Sequence, residues 1–382
     1  MRTTGDETGS RNRPRVRKLG LACGAAMIAL LTTLTVAPPA GAVAPFVAVD
    51  QISNCGGGLA LGADMDESGT VHGFHGCAGS GQFGVDADAT IKYFSSTSGN
   101  PVGWQTTAYH GRAVAAAWDG AGSLYLLYRE ADTLKLGSRT PHGQYPAPIT
   151  LATGITEDDT DGDLVADAGQ WGAVWARPVT RGGITTSQLF QAGPLLGKGV
   201  SQITTAIGRQ NNIWPALAHE NGWTTLVFTR SSGAPLVTES DLMIGRTTGA
   251  GWKAAVFSSA GAQNLRPDVA MSGGYTYLAW HRDGRTVEAD DTSGAFVEYT
   301  NVYAPNVAGL PTRISVSDAT VTVGWWMGST GGMPLMVMQR DAAGWTTDAV
   351  AVAGMIELLS HQGKATLIGA PEPGYVIRMT QV

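Results

Sequence analysis

Gly103-Trp104-Gln105-Thr106-Thr107-Ala108, Gly251-Trp252-Lys253-Ala254-Ala255-Val256 and Gly344-Trp345-Thr346-Thr347-Asp348-Ala349 are one phrase written three times. Each is a Gly-Trp pair leading into a short run of strand character. The positions 103, 251 and 344 lie 148 and 93 residues apart, or three units of about 49 and two of about 46, and a fixed period of roughly 40 to 50 residues built from strands is the signature of a β-propeller.

A second phrase checks the first. Apolar strands end in an aromatic at Gly73-Phe74, Leu127-Tyr128, Val174-Trp175, Val227-Phe228, Ala279-Trp280 and Gly324-Trp325-Trp326, with the aromatics 46 to 54 residues apart. A shorter strand and a tight turn precede each, as in Pro215-Ala-Leu-Ala-His-Glu-Asn-Gly222 and Pro267-Asp-Val-Ala-Met-Ser-Gly-Gly274. This pattern predicts an inner strand, a hairpin, the aromatic strand, a third strand and the Gly-Trp strand outermost. First strands are expected near Leu59, Ala113, Leu164, Pro215, Pro267, Pro311 and Ile356. The last unit supplies only three strands, and Pro45-Phe46-Val47-Ala48-Val49 has strand character without a blade of its own. The expected fold is therefore an all-β, seven-bladed propeller closed by this N-terminal strand, which removes the last free sheet edge. Six blades is the fallback if the final 27 residues pack elsewhere.

Residues 1–42 read as an address. Arg11, Arg13, Arg15, Arg17 and Lys18 form a basic region, an apolar stretch from about Leu21 to Val36 follows, and Pro38-Pro39-Ala40-Gly41-Ala42 supplies small residues. That order is a secretory signal peptide, with an apolar run short for a membrane span. Residues 43–382 are then one exported propeller domain, without stable membrane insertion and expected to be a monomer. The basic leader and Gly- and Ala-rich usage point to a Gram-positive source. Removing the leader takes away six basic and two acidic residues, leaving 19 Lys and Arg against 29 Asp and Glu, a net charge of −10. Such a surface disfavours nucleic acid, whose phosphates need neutralising. Only Cys55 and Cys77 remain. In an oxidising compartment they are expected to pair, with two free thiols as the alternative. The closed loop of about 23 residues would contribute on the order of 3 kcal/mol.

The alternating blade pattern with Gly-Trp before the outer strand resembles the sialidase-like group of propellers, over nearly all of residues 43–382. That group's Asp-box turn, Ser-x-Asp-x-Gly-x-Thr-Trp, has echoes in Asp66-Glu-Ser-Gly69-Thr70 and Asp119-Gly-Ala-Gly122-Ser123. The resemblance implies a shared fold. The group's catalytic members carry an early Arg in the first blade, whereas the first Arg after the leader here is Arg112.

Two constellations are candidate sites. Arg129, Arg177, Arg230 and Arg282 each follow a blade aromatic by one or two residues, in four consecutive blades. Their strand ends converge on one face of the ring, and arginine reads carboxylates and sulfates with paired hydrogen bonds. The bland reading is four solvated strand ends stacked on their own aromatics. The loop Glu157-Asp158-Asp159-Thr160-Asp161-Gly162-Asp163-Leu164-Val165-Ala166-Asp167 is the most acidic in the chain. Asp159, Asp161, Asp163 and Asp167 are similar to the calcium loops of integrin-type propeller repeats, which makes calcium the one cofactor to consider against an ordinary acidic loop. No Gly-x-Ser-x-Gly elbow or His-Glu-x-x-His helix is present. His72 and His75 fall on opposite faces of a strand. Glu130, Asp132, Asp283, Glu288 and Asp290 are the carboxylates from which a glycosidase pair would be drawn, and Trp214, Trp223 and Trp326 the aromatics that would stack on sugars. The expected function is a non-catalytic binding module for an extracellular glycan or a secreted or cell-surface protein, engaged through the arginine face. The alternative is a glycoside-acting enzyme with paired carboxylates at the channel mouth.

Overall fold

The computed structural model describes residues 46–53, 61–76, 89–97, 102–155, 161–197, 199–205, 209–232, 239–258, 261–300, 312–326, 335–341, 344–350, 355–369 and 376–381. Among them, seven four-stranded antiparallel sheets stand around an axis as the blades of a propeller. The inner strands are Leu61–Met65, Arg112–Trp118, Gly162–Asp167, Gln210–Glu220, Asn264–Ser272, Arg313–Ser317 and Met355–His361. Each neighbours the next, and the seventh neighbours the first, so the ring is closed.

The closing blade is composite, as expected from the missing fourth strand. Phe46–Ser53 pairs antiparallel with Val376–Gln381 as the outermost strand of blade 7, with Phe46 opposite Gln381. Arg378 of that blade also donates from Nη1 to the Ser96 carbonyl of blade 1 at 2.6 Å, which fastens the two ends of the array. Cys55 and Cys77 lie outside the described residues, as do residues 1–42.

The core is divided by the ring. Seven apolar clusters each straddle one blade junction, so no blade buries its own faces alone. The blade aromatics Phe74, Tyr128, Trp175, Phe228, Trp280 and Trp325 are all buried among these clusters. The Gly-Trp phrase marks outer strands: Gly103 and Gly344 open theirs, and Gly251-Trp252 immediately precedes Lys253–Ser258. Trp345 packs edge-on against Tyr299 of the preceding blade, centroids 6.0 Å apart.

Two expectations about inner strands shift. Pro215 and Pro267 do not open their strands but sit inside them, after Gln210 and Asn264. The inner strand has a partner on one side only, so a proline whose missing N–H faces the channel breaks no ladder bond. At both prolines the pairing with the second strand slips, between Ile213 and Ala216 and between Leu265 and Asp268. Each slip is a bulge that bends the strand at its channel end.

Candidate functional site

The inner strands enclose an axial channel of about 660 Å³. Its wall combines apolar side chains, among them Ala63, Ala115, Val165, Ala216 and Leu358, with charged ones: Asp64, Arg112, Asp161, Asp163, Arg266, Asp268, Arg313 and Glu357 all line it. The strand starts gather Arg112, Asp161, Trp214, Arg266 and Arg313 toward one end, while Trp118 and His219 come from the other ends of their strands.

Three of the carboxylates are fasteners between blades. Asp64 accepts the N–H of Met65 at 2.8 Å and, across the junction, that of Trp118 at 2.8 Å. Asp163 accepts Leu164 N–H and, from blade 4, Leu217 N–H at 2.6 Å. Asp268 accepts Val269 N–H and, from blade 6, Ile314 N–H at 2.9 Å. Each therefore commits one oxygen to its own strand and the other to the next, at alternate junctions of the ring. Burial pushes Asp64 up to about 6 and Asp163 up to about 7, against the opposing pull of these N–H donors.

Glu357 is different. Its nearest charged partner is Arg313, Oε2 to Nε at 3.8 Å, and burial pushes it up to about 8. Burial outweighs the attraction of Arg313 there. Arg313 itself is held above its usual range, because Asp268, Glu357, Asp163 and Asp161 together outweigh its desolvation.

Nearer the mouth the balance reverses. Trp214 and Arg266 immediately precede the two bulge prolines and both adopt left-handed backbone, φ 53° and 49°. That conformation is unfavourable for a side-chain-bearing residue and persists only where the surroundings impose it. It brings Arg266 over the Trp214 ring, with the guanidinium carbon 4.5 Å from the centroid. The nearest carboxylate oxygen, Asp161 Oδ1, is 3.7 Å away, beyond hydrogen-bond range, and the buried Arg266 Nε has no partner. Desolvation exceeds compensation there and holds Arg266 below the usual arginine range.

The arginines singled out from sequence sit on this same face, one strand further out. Arg112 stands opposite Arg129, Asn212 opposite Arg230, and Asn264 opposite Arg282. None of the four lines the channel. Arg129 donates from Nε to the Ala131 carbonyl at 2.6 Å, and Arg177 lies 5.5 Å over the Phe190 ring. Arg230 donates to Asp241 at 2.7 Å, and Arg282 grips both oxygens of Glu298 at 2.8 Å. The last two are thus engaged by carboxylates of their own blades.

The acidic loop is strung out along the inner strand of blade 3. Asp161 faces Arg266, Asp163 is the fastener described above, and Asp167 lies 3.5 Å from His219 near the opposite end. Strands rise by about 3.3 Å per residue, which separates Asp161 from Asp167 by roughly 20 Å. The three do not converge, and Asp159 lies outside the described residues. Among the described residues no three His, Cys, Asp or Glu side chains are placed to hold a metal ion.

The five glycosidase carboxylates are dispersed as well. Glu288 and Asp290 are fully buried at the junction of blades 5 and 6, both engaged by Arg340. Glu130 pairs with Lys135, and Asp283 accepts Gln263 N–H at 2.8 Å. None of the five, Asp132 included, lines the channel. Trp214 does; Trp223 stands half exposed on a hairpin, and the Trp326 side chain lies outside what is described. The carboxylates that do meet in the channel were not singled out as a group by sequence, because nothing but the ring brings blades 1, 3, 5 and 7 together.

No known protein family matches this chain, and no curated protein matches it. Among solved structures it is similar to one described as YCF48 bound to D1 peptide, at 13% identity over 90% of this chain and 97% of that one, with a TM-score of 0.52. At that identity the likeness shows the fold: this protein is a β-propeller. The sialidase-like resemblance is not carried by it.

Proposed function

We propose that the chain is an exported, non-catalytic binding module, and that its ligand, an extracellular glycan or protein, engages the face where the inner strands begin. The observation that carries this reading is the pair Trp214 and Arg266. Two neighbouring blades each hold a large side chain in strained backbone at the mouth of an open channel. Strain retained at a cleft is characteristic of binding sites. A structural neighbour of the same fold is described as bound to a peptide.

Retention of the purified exported chain on acidic and neutral polysaccharides and on secreted-protein fractions tests the reading, with polymer length measured before and after. Saturable binding with the polymer intact is the expected result. Shortened polymer would favour the second reading, a sialidase-like glycosidase. One observation speaks for that relationship: Asp66 and Asp119 build the same turn, each accepting N–H bonds from the residues two and four further on.

A further inference from the structure

The binding-module reading leaves open what chemistry the channel mouth selects, and Arg266 answers it. A guanidinium carries five N–H donors in a rigid plane and stays charged. Taking it out of water is costly unless those donors are met. Arg266 is 30% exposed, with a cation–π contact to Trp214 beneath it, an acidic oxygen at 3.7 Å, and no hydrogen bond among the described residues. Its left-handed backbone, at the bulge before Pro267, starts the side chain on the channel side of the strand.

Arg313, at the start of the next inner strand, shows the contrast. Asp268, Glu357, Asp163 and Asp161 all act on it, with Glu357 Oε2 3.8 Å from its Nε. Among the described residues lining the channel, Arg266 is thus the arginine with a buried donor that is unmet. An anion entering from the face where the strands begin meets Arg266 near the start of its inner strand. Pro215, Pro267 and Val114 line the same wall and offer apolar contact to the body of a ligand.

We infer that Trp214 and Arg266 form a site for a carboxylate, bound by the Arg266 guanidinium and carried on a ligand end narrow enough to enter the channel. A planar, two-oxygen anion matches the guanidinium fork, and the interior position of Arg266 favours a chain end or a small acid over the middle of a polymer. An acidic sugar and a polypeptide terminus share this chemistry.

Ligand-observed NMR titration of the full exported chain with two matched pairs separates the possibilities: galacturonate against galactose, and N-acetylglycine against N-acetylglycinamide. In at least one pair the acid is expected to bind and its neutral partner not. Arg266→Gln should weaken the acid by roughly tenfold to a hundredfold, the loss expected for one charge-assisted contact, with Arg266→Lys intermediate and circular dichroism unchanged. Binding in the first pair alone identifies an acidic sugar, and in the second alone a chain terminus. If Arg266→Gln misfolds, Arg266→Lys carries the test, and unchanged affinity for the acid in that variant overturns the inference. Failure of both acids to bind, or equal affinity in Arg266→Gln, overturns the inference. Galactose binding as tightly as galacturonate, and lost in Trp214→Ala, would also overturn it while leaving the binding-module reading intact.

Discussion

Asp163 and Asp268 show how much one residue can carry in a ring. Each joins two blades through backbone N–H groups that have no other partner at that edge. Replacing either by Asn keeps the shape but sets an amide N–H₂ against a donor. The expected cost is about 1–3 kcal/mol per site, read from denaturant unfolding, with less effect from Asp167→Asn at the exposed strand end. Glu357 supplies a prediction in pH. Its folded-state value, near 8, lies above the ordinary glutamate value of 4.5, so the folded chain holds a proton that the unfolded chain releases between those values. Its contribution to stability is full below about 4.5 and is lost as pH rises toward 8. Thermal melts across this window should show the wild-type midpoint falling with pH more steeply than that of Glu357→Gln; parallel curves would count against the assignment. Sequence showed the aromatic anchors of this scale but not Arg266. Its direction depends on the bulge before Pro267, and a bulge shifts the two-residue alternation by one, so no count of alternate residues puts that side chain in the channel.

The hairpins between inner and second strands are where local sequence and structure agree most closely. Asn221-Gly222 and Gly273-Gly274 turn with positive φ at both positions, as do Ala168-Gly169 and Asp318-Ala319. Such turns suit the strand twist and favour Asn or Gly. The first two pairs are turn signals in the sequence, whereas Ala168 and Ala319 are not, since alanine avoids left-handed backbone. Ala168→Gly is therefore expected to stabilise by roughly 0.5–1 kcal/mol, measurable as a higher melting temperature. The Ala168 N–H bond to the Asp119 carbonyl remains available to glycine. The inner strands were less legible. Proline usually signals a strand boundary, yet Pro215 and Pro267 lie within strands because one edge of every inner strand faces the channel instead of a partner.

At the scale of the whole molecule, six blades were readable because each repeats an aromatic strand, and the composite seventh because its missing strand had a visible substitute near Phe46. What the ring brings together across blades was not readable, since residues such as Asp64, Asp163, Asp268 and Glu357 share no local motif. Closure by Phe46–Ser53 implies that a chain lacking residues 43–53 exposes a sheet edge on blade 7. Such a chain should melt at lower temperature and aggregate on warming, and an equal melting temperature would argue against closure by this strand. The claim on which the functional account rests is that ligand is taken at the channel mouth. Hydrogen–deuterium exchange of residues 43–382, with and without a retained polysaccharide or protein, tests it most directly. The account predicts ligand-dependent protection in 210–217 and 262–269, around Trp214 and Arg266. Protection confined to the opposite hairpins near Trp223 and Tyr275, or to the outer strands, would contradict it.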